Sequence, residues 1–124
     1  MRAKFGLIVS ALLTASSALA AYPERPIRLI VPYAPGGNID ITARTIAPGL
    51  AEALGTQIVV DNRGGAGGTI GSELAAKSAP DGYTLLMGSS GTLATAQALY
   101  PRLGFDPLKD FAYTSSSRSF RSLQ

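Results

Sequence analysis

Apolar residues are concentrated in three short runs, separated by polar and glycine-rich segments. Each run has about five residues, is rich in branched or large apolar side chains, and stops at a proline, a glycine or a polar residue. This is the pattern of a short buried strand. The three predicted strands span residues 27–31, 57–61 and 83–87.

The segments between the strands predict helices. After the first strand, apolar residues recur from Ile39 to Leu54 with a spacing close to 3.6, which is typical of an amphipathic helix. Asn38 is the predicted N-cap, Gly55 the glycine that ends the helix, and Pro48 the position of a kink. A second helix is predicted from residue 68 or 69 to the turn at 79–82, and a third over residues 93–100.

Strand, glycine-rich loop and helix therefore alternate three times, which predicts an α/β fold with a parallel sheet and βαβ crossovers. In such sheets ligands bind beyond the carboxyl ends of the strands. The three predicted loops, at 35–38, 64–68 and 88–92, all follow strands and should meet at that edge. Free amides at glycine loops and helix starts can bind an anion, although glycines can also simply form tight turns.

The amino-acid composition excludes several kinds of catalytic and metal site. The 124 residues include no His and no Cys, which excludes the usual zinc sites, Ser-His-Asp and Cys-His catalysis, and disulfides. The formal net charge is +3, but between residues 21 and 110 seven basic side chains face eight acidic ones. The main electrostatic argument for nucleic-acid binding is therefore missing.

A nucleotide site is poorly supported, because the nearest approach to the dinucleotide fingerprint is the mis-spaced set Gly65, Gly67 and Gly71. A stand-alone nucleotide- or phosphate-binding protein is therefore a minor alternative. Asp40 and Asp61 could form a carboxylate pair, yet Asp40 also fits the first turn of a helix and Asp61 the end of a strand.

The first twenty residues have the three parts of a secretory signal peptide. Arg2 and Lys4 form the charged start, residues 5–13 an apolar stretch, and residues 18–20 a small-x-small cleavage site. The apolar stretch is shorter than the ~20 residues that a membrane-spanning helix needs. Residues 1–20 are thus predicted to be cleaved, leaving an exported, periplasmic protein.

Several motifs together resemble one family, the Bug-type extracytoplasmic solute receptors of tripartite tricarboxylate transporters. The resemblance covers about ninety residues. The motifs are YPERPIRLIVP at 22–32, PGG at 35–37 with Asp40, VDNRGGAGGTIG at 60–71, APDGYTLL at 79–86, LYP at 99–101 and FDPLKDF at 105–111.

The resemblance implies the N-terminal part of a type II periplasmic-binding-protein fold, with the second domain absent from this chain. It implies a monomer that captures a small carboxylate, such as a di- or tricarboxylate or an aromatic acid, and delivers it to a membrane permease. No catalysis, cofactor or metal is expected. By position, the ligand-binding residues would be Pro35, Gly36, Gly37, Asp40, Gly64, Ala66, Gly67, Gly68, Thr69, Ser89, Ser90 and Thr92.

The resemblance ends near Ala112. Residues 21–112 are predicted to form part of a first lobe. Residues 113–124 hold five Ser and two Arg and are predicted to be an aberrant, disordered tail. We therefore expect a truncated and impaired receptor, with a non-functional frameshifted remnant as the alternative.

Overall fold

A computed structural model describes residues 21–114 of the chain. The predicted signal peptide, residues 1–20, and residues 115–124 of the predicted tail lie outside the described residues.

The fold is built on a parallel sheet of three strands, β1 (Ile27–Val31), β2 (Ile58–Asn62) and β3 (Thr84–Leu86), in the order β2-β1-β3. Ile27 lies opposite Ile58, and Arg28 lies opposite Thr84. The predicted parallel α/β architecture is confirmed. β2 begins and ends one residue later than predicted, and β3 is shorter by one residue at each end.

The helices connect the strands as expected. They are α1 (Asn38–Leu54), α2 (Thr69–Ala76) and α3 (Ala96–Leu99). A 3-10 turn, Ala66–Gly68, precedes α2, and a π-helical turn, Gly91–Thr95, precedes α3.

Two helix predictions are corrected. The N-cap of α1 is Gly37, not Asn38, and Asn38 is the first helical residue; no side chain caps this end at Gly37. The third helix was predicted to begin at residue 93, but helical structure begins at Gly91 with a wider turn. The prediction for Gly55 is confirmed, because it ends α1 with a left-handed φ of 68°. α1 continues through Pro48.

The core lies between β1 and the surrounding elements. Because β1 is the central strand, Ile27, Leu29, Ile30 and Val31 are all buried. Leu29, Val31 and Ala43 form a buried cluster, and partly buried side chains pack against it: Tyr33, Ile39, Ile58, Val60, Leu85 and Met87. This packing fixes the ends of the strands, from which the three glycine loops emerge.

Large apolar side chains are exposed on the helices. Examples are Ile41 at 55%, Ile70 at 55% and Leu99 at 68% of their maximal area. An open groove between α1 and β2 is lined by Ala47, Pro48 and Ile58 among others. Among residues 21–114, no helix has both the length and the apolar character needed to cross a membrane.

Candidate functional site

The three glycine loops meet at the carboxyl edge of the sheet, where the first loop is the whole segment from Pro32, directly after β1, to Gly37. The second loop is tied to the first strand where Arg63 N donates to Val31 O at 2.8 Å. A Cβ at Gly68 would collide with the methyl group of Thr92 and lie 3.2 Å from both Pro32 O and the Tyr33 ring. Gly68 is therefore the point at which all three loops touch.

Asp40 holds the first loop in place. Its carboxylate accepts hydrogen bonds from Gly36 N at 2.8 Å, from Arg44 Nε at 3.0 Å and from Asn62 Nδ2 at 2.9 Å. Asn62 Nδ2 also donates to Tyr33 O at 3.1 Å, and Arg44 donates to Asn62 Oδ1 at 2.9 Å. The end of β2 is thereby locked to the loop after β1.

The surroundings of Asp40 favour its charged form. The hydrogen bonds from Arg44, Gly36 and Asn62 together lower the pKa of the Asp40 carboxyl from 3.8 to about 2, against an opposing effect of burial. Its side chain is almost fully buried. Asp40 is thus an ionised acceptor for the loop backbone at neutral pH.

The second loop has an unusual backbone. Residues 65–68 all have positive φ, and Ala66, which has a side chain, adopts φ 46°. The left-handed region is uncommon for residues other than glycine. Within residues 21–114 the amides of Ala66 and Gly67 have no protein acceptor.

The third loop is rich in hydroxyl contacts. Ser89 N donates to Thr92 Oγ1 at 3.0 Å, and Thr92 Oγ1 donates to Ser89 O at 3.1 Å. Ser89 Oγ lies 2.6 Å from the hydroxyl of Tyr33. Thr92 is fully buried and Ser89 is half-buried. Thr92 therefore stabilises the loop through its bonds to the Ser89 backbone.

The neighbouring basic side chains are already paired. Arg44 is bound to Asp40, and both Arg28 and Arg63 are bound to Asp61. Burial raises the pKa of Asp61, but the hydrogen bonds and charges of Arg28 and Arg63 outweigh it, and the pKa is lowered overall. These three arginines are thus engaged by carboxylates, and the described loops offer an anion backbone amides and hydroxyls.

The structure brings the twelve predicted site residues to this one edge, but not in equivalent positions. Pro35, Gly36, Gly37, Gly64, Ala66, Gly67 and Ser90 are exposed, Thr69 and Ser89 are half-buried, and Asp40, Gly68 and Thr92 are buried. The described residues contain no group of three or more acidic side chains arranged to hold a metal ion.

The sequence analysis did not identify three residues whose side chains connect the loops: Tyr33, Arg44 and Asn62. Arg44 could have been found, because it lies four residues after Asp40 on the same helix face. Tyr33 and Asn62 gave no such signal, since their side-chain partners lie 18 to 56 residues away along the chain.

Comparison with known proteins then gives the family. Residues 42–120 match the tripartite tricarboxylate transporter family receptor. The chain belongs to this receptor family. It is 46% identical over 109 residues to protein BugT of Bordetella pertussis, covering 87% of this chain and 33% of BugT. The family match extends into the tail predicted from residue 113 onward, whose disorder stays a prediction.

Solved structures of related receptors share this fold. MatC from Rhodopseudomonas palustris, with bound malate, is 44% identical and superposes with a TM-score of 0.70 over 73% of this chain and 31% of MatC. An R. palustris protein with adipate is 41% identical, with a TM-score of 0.67 over 70% of this chain and 29% of that protein. The periplasmic binding protein BugD is 42% identical, with a TM-score of 0.66 over 73% and 30%. The chain spans about a third of the length of these relatives.

Proposed function

We propose that this chain provides one wall of the ligand cleft of a periplasmic receptor, which captures a small carboxylate for a tripartite tricarboxylate-type transporter. The observation that carries the proposal is the set of unpaired amides at the carboxyl edge. Within residues 21–114 the amides of Asn38, Ile39, Ala66, Gly67, Ser90 and Gly91 have no protein acceptor. These donors come from all three loops.

Unpaired amides at helix starts and glycine turns favour a negatively charged oxygen. A carboxylate has two acceptor oxygens and can therefore bridge donors from different loops. The ligands of two related structures, malate and adipate, are small dicarboxylates and agree with this chemistry. We expect the ligand to be a di- or tricarboxylate or an aromatic acid.

The roles of the site residues follow from their burial. The exposed residues Asn38, Ala66, Gly67 and Ser90 would present backbone donors to the ligand. Asp40 and Thr92 would act indirectly, because their polar atoms are already bonded to the loops. The proposed role is binding and delivery to a permease, without catalysis.

Ligand-observed saturation-transfer NMR on the full chain tests the proposal, with malate and adipate as ligands and malamide as a neutral control. We expect saturable transfer to both dicarboxylates and much less to malamide. The affinity should be weak, with a Kd on the order of 1 mM, because the described residues form one wall and deep clefts bury a ligand from several sides. Equal transfer to malamide, or none to either dicarboxylate, would contradict carboxylate capture.

Periplasmic location is a separate part of the proposal and rests on the leader motif at residues 1–20. Expression of the full chain in a bacterium, followed by fractionation and N-terminal sequencing, tests it. We expect the periplasmic form to begin at Ala21. An uncleaved chain that begins at Met1 and stays in the cytoplasm would exclude export.

A further inference from the structure

Tyr33 lies at the centre of the three loops. Its hydroxyl is 2.6 Å from Ser89 Oγ in the third loop, and its carbonyl accepts from Asn62 Nδ2 at 3.1 Å. Its ring lies against Gly68 of the second loop, where a Cβ would be 3.2 Å from Tyr33 Cζ. One side chain of the first loop therefore contacts both of the other loops.

The contact with Tyr33 determines whether the Ser89 hydroxyl acts as a hydrogen-bond donor or acceptor. The geometry allows either hydroxyl to donate, and the more acidic phenol of Tyr33 is the better donor. Ser89 Oγ also lies 3.4 Å from Thr92 N, which donates to it. When Tyr33 donates, both acceptor positions of Ser89 Oγ are occupied, and the hydrogen of Ser89 is free for another acceptor.

The other acceptor near that hydrogen lies at the limit of hydrogen-bonding distance. Thr92 Oγ1 is 3.5 Å from Ser89 Oγ, while it accepts from Ser89 N at 3.0 Å. The Ser89 hydroxyl is half-buried beside the unpaired amides of Ser90 and Gly91. The Ser89 hydroxyl thus lies at the same end of the third loop as two backbone donors.

We propose that Tyr33 is a positioning residue of the ligand site, which fixes the Ser89 hydroxyl as a donor to a ligand carboxylate oxygen. The inference rests on the proposed carboxylate-binding function and adds a specificity element to it. A serine whose acceptor positions are filled can donate to a carboxylate but cannot accept from the N–H of an amide.

A double-mutant cycle tests the proposal, using the wild-type chain, Tyr33→Phe, Ser89→Ala and the double variant. The Kd for malate is measured by ligand-observed NMR titration, and Tm is measured for each protein. We expect Ser89→Ala to weaken binding by about three- to tenfold and Tyr33→Phe by about threefold. The double variant should bind about as well as Ser89→Ala alone, since Tyr33 acts through Ser89.

Tyr83→Phe is the matched control. It removes a hydroxyl that accepts from Glu24 N at 2.9 Å, just before β3 and away from the glycine loops. We expect its Kd for malate to equal that of the wild type.

Each other outcome overturns the proposal. Additive effects of Tyr33→Phe and Ser89→Ala, or unchanged binding by Tyr33→Phe, would show that Tyr33 does not act through Ser89. Losses of affinity that follow Tm in every variant, Tyr83→Phe included, would show a purely structural role. If the wild-type chain itself gives no saturable binding, the proposed function fails, and this inference fails with it.

Discussion

The two ends of the same three strands are built in opposite ways. At the amino end, polar groups satisfy one another: Arg25 pairs with Asp81 at 2.8 Å and lies 4.2 Å above the ring of Tyr83. Tyr22 packs edge-on against Tyr83, with ring centroids 5.1 Å apart, and its hydroxyl donates to Gly82 O at 2.7 Å. At the carboxyl end, side chains are paired but several loop amides are not.

The amino end of the sheet is thus arranged for stability, and the carboxyl end is arranged for binding. At the amino end, side chains close the edge and meet each other's hydrogen-bonding needs. At the carboxyl end, side chains such as Asp40 and Asn62 bind the loop backbone at chosen points and leave other amides open. A site for anions needs this second arrangement, since donors that are already used cannot bind a ligand.

The largest effect is expected for Gly68→Ala. Gly68 has φ 94°, and an added Cβ would collide with Thr92 and approach Pro32 O. Strain and overpacking together should destabilise the fold by about 3 kcal/mol. Gly55→Ala, at the amino end, is the control, because it has φ 68° but open space around the new Cβ. It should cost about 1 kcal/mol.

Urea denaturation of both glycine variants measures the difference. Equal losses for Gly68→Ala and Gly55→Ala would show that the meeting point of the three loops is not tightly packed.

The next largest effect is expected for Asp40→Asn. The change removes the charged acceptor of three donors and leaves Gly36 N and Arg44 poorly satisfied. Asp81→Asn is the matched control at the amino end, where the pair with Arg25 is exposed to solvent. Thermal denaturation should show a several-fold larger loss of Tm for Asp40→Asn. Similar losses in the two variants would contradict the role given to Asp40.

Acid should weaken the carboxyl end through the same residue. The folded-state pKa of Asp40 is about 2, below its ordinary 3.8, so its stabilisation is present above pH 3.8 and is lost as the pH falls towards 2. The lowered pKa of Asp61 acts in the same direction. Denaturation midpoints between pH 2 and 5 should therefore depend less steeply on pH in Asp40→Asn than in the wild type. Identical slopes would exclude Asp40 as a source of the acid sensitivity.

The smallest effect is expected for Arg25→Gln at the amino end. Its ion pair with Asp81 is exposed and screened by solvent, so the loss should be about 0.5 kcal/mol. Backbone amide shifts in the three glycine loops should stay unchanged. Shifts there would mean that the two ends of the sheet are coupled.

The fold could be predicted from local patterns because strands, helices and glycine loops each have their own short-range signals. β1 has the predicted bounds, and Gly55 ends α1 as expected. The N-cap was wrong because the carboxylate of Asp40 accepts from Gly36 N, so the chain becomes helical directly after Gly37. The start of the third helix was wrong because Thr95 Oγ1 and Leu93 N bond back to residues 90 and 89, which extends the helical path earlier.

The sequence predicts which loops form the candidate site, but not which side chains hold those loops together. The convergence of residues 35–38, 64–68 and 88–92 follows from the parallel sheet. The side chains that hold these loops could not be predicted, since the bond between Asn62 and Asp40 and the contact between Tyr33 and Ser89 depend on tertiary packing.

A residue-resolved amide NMR titration of the full chain with malate tests directly whether the carboxyl edge of the sheet binds a carboxylate. We expect saturable shifts of the amides at Asn38, Ala66, Gly67 and Gly91, and none at the amino-end residues Arg25 and Gly82. Shifts concentrated at the amino end, or no saturable shift in any of the three glycine loops, would contradict a carboxylate site at the carboxyl edge of the sheet.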